Sequence, residues 1–138
     1  MPADTIAAAR ILRPTRAEIR LSAVRKNLQK LKSTAAPARL LFVVKANAYG
    51  HGALALTRLA EREELAWGFG VSSVEEGLAL RAGGIKSPVL VLGSLYPFES
   101  FVEALSADLM VTIASLDAAR QVIEAANKLG KKAVCHIK

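Results

Sequence analysis

A single cysteine, Cys135, excludes an internal disulfide framework, which needs at least two partners. No CxxC pair and no HExxH spacing occurs, so the sequence offers no metal site. No GxGxxG turn marks a dinucleotide-binding unit. Apolar runs are short, and nothing approaches the ~20 residues of a membrane span. Near the N-terminus, Ile6-Ala7-Ala8-Ala9 is enclosed by Asp4 and Arg10, which leaves no secretory apolar core. These absences predict a soluble protein of the cytoplasm. Aromatic residues are also scarce, at 5% of the chain, and this bears on the net charge of +7. Arg10, Arg13, Arg16, Arg20, Arg25, Lys26, Lys30 and Lys32 crowd the first quarter, yet no aromatic side chain interleaves with them for base stacking. The excess charge therefore reads as solvated surface, with no nucleic-acid partner expected.

Apolar residues make up 52% of the 138 residues, enough for a real core in an Ala/Leu/Val-rich β/α protein. Strand and helix alternate from Leu40 onward, with strands predicted over 40–45, 66–71, 88–93, 108–113 and 132–138. Ser73 and Glu76 have capping-box spacing at the start of a helix that ends at Gly83-Gly84. Ser115 opens another, whose Leu116, Ala119, Val122, Ile123, Ala126 and Leu129 form a core stripe ending at Gly130. Before these units, residues 1–16 read as a disordered leader and 17–21, alternating apolar and polar, as a short half-buried strand. Leu21, Val24, Leu28 and Leu31 follow at helical spacing with Ser22 as cap. This organisation divides the chain at 1–16, 17–39 and 40–138. The alternation implies parallel β/α units with right-handed crossovers, and leaves open a doubly wound sheet or an interrupted barrel. A complete eight-stranded barrel usually takes about 250 residues.

The run Phe42-Val43-Val44-Lys45-Ala46-Asn47-Ala48-Tyr49-Gly50-His51-Gly52 carries the chemistry. Leu40 to Val44 suit a buried strand, and Lys45 is the first residue to leave its C-terminal end, the functional end of parallel β/α folds. A lone lysine there is ordinarily a solvated charge. Here Gly50 and Gly52 permit unusual backbone and close approach, Tyr49 brings a hydroxyl, and Ala46 and Ala48 leave space, as an imine-forming amine requires. Cys135 lies among apolar neighbours and reads as a buried thiol, with His136 turned to the opposite face by strand alternation. His51 reads as a turn-stabilising hydrogen bonder. Asn47 belongs to the motif without an assigned step.

The ten residues Val43 to Gly52 resemble the pyridoxal phosphate (PLP) attachment motif of the alanine racemase family. The likeness continues through Trp67-Gly68-Phe69-Gly70-Val71, Glu75 to Arg81, Pro88 to Gly93 and His136-Ile137-Lys138. It implies an α/β fold: an incomplete parallel (β/α)8 TIM-type barrel with about five βα units, truncated at its C-terminus. It also implies that Lys45 holds PLP as a Schiff base and acts as one acid/base group, that Tyr49 hydrogen-bonds the cofactor phosphate, and that Val43 and Leu92 line the pocket. Lys138 matches a lysine that is carbamylated in some members. The second base in the family is a tyrosine of the partner subunit's C-terminal domain, and neither Tyr49 nor Tyr96 matches it.

The resemblance thus implies a PLP-dependent racemase interconverting L- and D-alanine for peptidoglycan precursors. The full-length protein would be a homodimer, and this N-terminal portion inactive alone. The alternatives are a serine, lysine or broad-specificity racemase, a non-catalytic PLP-binding homeostasis barrel, and a truncated product serving only as an interaction module.

Overall fold

The computed structural model describes residues 15–138, so the expected leader lies outside the described residues except for its last two positions. The elements run α1 (Leu21–Ala35), β1 (Leu41–Val43), α2 (Lys45–Tyr49), α3 (Ala53–Arg62), β2 (Gly68–Val71) and α4 (Val74–Ala82). They continue with β3 (Val89–Val91), α5 (Phe98–Ser106), β4 (Met110–Ile113), α6 (Leu116–Leu129) and β5 (Cys135–Ile137). The five strands form one sheet in the order β1-β2-β3-β4-β5, every pair parallel. The architecture is therefore α/β, five successive units of an incomplete parallel β/α barrel. All five predicted strands exist, each shorter than its apolar run.

Pleating sends alternate residues to opposite faces. Val44, Phe69, Val71, Val89, Val91 and Val111 face the helices and are almost wholly buried. Each such side chain contributes about 1.5–3 kcal/mol of burial. Phe101, Ala104, Leu105, Val122 and Ala125 meet them from the helical layer. On the other face the register aligns Val43 with Gly70, Gly70 with Leu90, and Thr112 with His136. Gly68 is required for this close pairing, because a Cβ there would stand 2.6 Å from the Pro88 carbonyl oxygen.

Helix ends follow their chemistry. Ser73 Oγ accepts the Glu76 N–H at 3.4 Å and Ser115 Oγ accepts the Ala118 N–H at 3.1 Å, while Gly130 closes α6 in the left-handed conformation. Arg81 clamps the opposite rim, donating to the carbonyls of Ile85, Ser87, Ala107 and Asp108.

Four local expectations are corrected. The strand expected over 17–21 is absent: the N–H groups of Ala23 and Val24 bond back to the Arg20 carbonyl and start α1 instead. A short segment gains nothing by extending without a neighbouring strand, and Ile19 packs on the core regardless. Ser22 lies inside α1 and does not cap it; Arg20 holds the cap position without a side-chain bond. Leu21, Leu31, Leu116 and Ile123 are exposed, so the apolar stripes are narrower than their sequence spacing suggests, and Ala125 takes the most buried place on α6. Cys135 is only half-buried because β5 is an edge strand; partial desolvation still raises its thiol pKa. Among the described residues no helix is long and apolar enough to cross a membrane.

Candidate active site

The C-terminal ends of the strands converge on the face opposite the helices. There an open cleft of about 440 Å3 is lined by Lys45, Ser72, Leu92, Gly93, Thr112, His136 and Lys138. Each strand, or the one or two residues just past its C-terminal end, contributes to the lining, and apart from Gly93 the positions follow parity: Lys45 follows Val43 by two, Ser72 follows Gly70, Leu92 follows Leu90 and Lys138 follows His136. The lining carries two lysines and a histidine but no carboxylate, which favours an anionic ligand. Gly70 shapes the floor. A Cβ at that position would come within 3.1 Å of Leu92 Cδ1 and 3.3 Å of Val43 Cγ2, so its absence lets these side chains approach each other over β2.

Lys45 leaves β1 into a turn of unusual hand. Ala46, Asn47, Ala48 and Tyr49 all have φ between 51° and 54°, the left-handed region that costs an L-residue roughly 1–2 kcal/mol each. Surrounding bonds hold it there. The Ala48 N–H donates to the Val44 carbonyl at 2.7 Å, the Gly50 N–H to Ala46 at 3.0 Å and the Gly52 N–H to Asn47 at 2.9 Å. His51 Nδ1 lies 2.9 Å from the Ala48 carbonyl and 3.0 Å from that of Tyr49; a carbonyl only accepts, so this nitrogen carries the proton. Asn47 Oδ1 accepts the Ala53 N–H at 2.8 Å and so supplies the cap that α3 lacks from Gly52. The motif's histidine and asparagine thus stabilise the turn.

Glu76 completes the arrangement from α4. Its Oε1 accepts from the Ala46 N–H at 2.7 Å, and its Oε2 accepts from the Ser72 N–H and hydroxyl, both at 2.8 Å. Partial burial by itself would raise its pKa, but these donors together outweigh that and hold the carboxyl below the ordinary glutamate range.

Lys45, Leu92 and Lys138 meet at the cleft. Val43 and Tyr49 are not among the residues lining the cleft; they line a separate apolar groove between α1 and the edge strand β1, with the Tyr49 side chain largely exposed. Sequence reasoning missed Ser72, Gly93, Thr112 and His136 as cleft residues. The rule that selected Lys45, the first residue past an apolar strand, would also have selected Ser72 after Val71. Glu76 was read only as a capping residue, since its reach to Ala46 spans two strands.

The family model for the alanine racemase N-terminal domain matches residues 19–138. An alanine racemase of Symbiobacterium thermophilum is 40% identical over 127 residues, which is 92% of this chain and 33% of that protein. The chain spans about a third of the length of the curated relatives it matches. Among solved structures, alanine racemase of Clostridium difficile aligns with a TM-score of 0.74 at 34% identity, over 84% of this chain and 30% of that one. A histidine racemase of Leuconostoc mesenteroides aligns with a TM-score of 0.73 at 26% identity, over 83% and 30%.

Proposed function

The chain belongs to the family of alanine racemase N-terminal domains, and from that membership we propose that it supplies the lysine half of a PLP-dependent amino-acid racemase. The single observation that carries this reading is Lys45, held by a braced left-handed turn at the rim of a cationic cleft with an apolar floor. Such a lining suits a flat, anionic aldehyde: Lys45 provides the amine for covalent attachment, Leu92 an apolar surface with Val43 beside it across Gly70, Lys138 positive charge, and Thr112 and His136 polar groups. When bound, pyridoxal phosphate supplies the electron sink that acidifies the Cα–H bond of an attached amino acid.

Lys45 then has two tasks. It would hold the cofactor through its Nζ, and the same amine would take or return the α-proton on the face it occupies. Inversion needs a second proton carrier on the other face, since one side chain cannot reach both. Tyr49, by its match to the family motif, is proposed to bond the cofactor phosphate, and Lys138 to serve as the carbamylated lysine. Alanine is the proposed substrate, with supply of D-alanine to the cell wall, a homodimeric assembly and a cytoplasmic setting as corollaries. A histidine racemase of similar fold favours a second reading, in which the side chain accepted is not alanine's.

The test is to incubate the purified chain with pyridoxal phosphate, reduce with borohydride and map the modified peptide. One adduct at Lys45, lost in Lys45→Ala, is expected. No adduct, or labelling scattered over many lysines, would remove the reading for this chain.

A further inference from the structure

Glu76 carries more hydrogen bonds than its own helix requires. A capping-box glutamate reaches back to the cap residue's N–H. This one reaches beyond Ser73 to both donors of Ser72 and, with its other oxygen, across to the Ala46 N–H on the turn after β1. Ala46 directly follows Lys45, and Ser72 lies in the same cleft as that lysine. One carboxylate therefore ties the C-terminal ends of β1 and β2 together next to the amine.

We infer that Glu76 is a positioning residue: by holding the Ala46 amide it fixes the left-handed turn, and with it the direction in which the Lys45 side chain enters the cleft. The inference rests on the reading of Lys45 as the reactive amine. Three donors converge on two oxygens, and only a carboxylate accepts on both. Glutamine has the same shape but offers one oxygen, so its amide group would face a donor on one side and that link would open. The carboxyl is held below its ordinary pKa by these donors, so the charge is present at neutral pH.

Glu76→Gln in the full 138-residue chain provides the test, with Glu61→Ala as the comparison. Glu61 also binds two backbone N–H groups, those of Lys86 and Ser87 at 2.9 and 2.6 Å, on the loop before β3 at the other end of the sheet. Two quantities are read. The first is hydrogen exchange of the Ala46 amide. The second is borohydride-trapped labelling by phosphate-free pyridoxal, taken as the ratio of Lys45 to the exposed Lys132. In Glu76→Gln the Ala46 amide should exchange about tenfold faster and the labelling ratio should change several-fold. Glu61→Ala should lower the melting temperature and leave both quantities unaltered. The inference is overturned if Glu76→Gln leaves them at wild-type values, or if Glu61→Ala shifts them equally. Should the wild-type chain fail to take pyridoxal phosphate at Lys45 while both quantities still respond to Glu76→Gln, the cofactor reading falls and the positioning role stands.

Discussion

Asn47 shows how much one side chain can carry without touching a substrate. It sits at a φ of 52° and its Oδ1 accepts the first N–H of α3 at 2.8 Å. Asparagine tolerates the left-handed region better than most residues, and the cap replaces one that Gly52 cannot provide. Asn47→Ala should therefore cost about 1–2 kcal/mol in urea unfolding, with Asn47→Asp retaining most of the stability because it keeps the acceptor. A fully stable alanine variant would refute this account of the turn. The sequence marked Asn47 as part of a motif but did not reveal its partner. A bond from position 47 to 53 appears only once four successive residues turn left-handed, and propensity gives no warning of that for two alanines and a tyrosine.

Among the longer helices, α1 is the least embedded, with Leu28 its only buried residue. A bidentate ion pair joins it to the end of α3: Arg25 Nε donates to Glu63 Oε2 at 2.6 Å and Nη2 to Oε1 at 2.7 Å. Both groups are solvent-accessible, so the pair orients the helix more than it stabilises the fold. Arg25→Ala should speed amide exchange throughout α1 while barely moving the global unfolding midpoint. Unchanged exchange in α1 would show that Leu28 and its neighbours dock the helix unaided. Periodicity located this helix and the capped helices α4 and α6, because caps and apolar spacing are local signals. The strand expected over 17–21 failed for the opposite reason: a strand exists only through a neighbour, and alternation over five residues does not provide one.

At the scale of the whole molecule, several of the described carboxyl groups are held in their charged form by their partners. Arg25 lowers the Glu63 pKa and Lys131 that of Asp108, while backbone and side-chain donors outweigh burial at Glu61 and Glu76. Each depressed carboxyl contributes stability that is complete above its ordinary unfolded value and is lost as pH falls through the folded one. The thermal midpoint should accordingly hold at neutral pH and drop as pH falls below about 5. A midpoint that stayed level down to pH 3 would contradict these assignments. The sheet itself ends in β1 and β5, each paired on one side only among the described residues, and such edges are open to further pairing. From sequence alone came the strand and helix alternation, the parallel class, the place of Lys45 at the end of β1 and the family likeness, since each resides in contiguous residues and their spacing. Tertiary structure alone decided which face of each strand lines the cleft, that Ser72, Thr112 and His136 join Lys45 there, and that Glu76 braces its turn. Those relations depend on register between strands some twenty residues apart, and register is set by packing across the sheet.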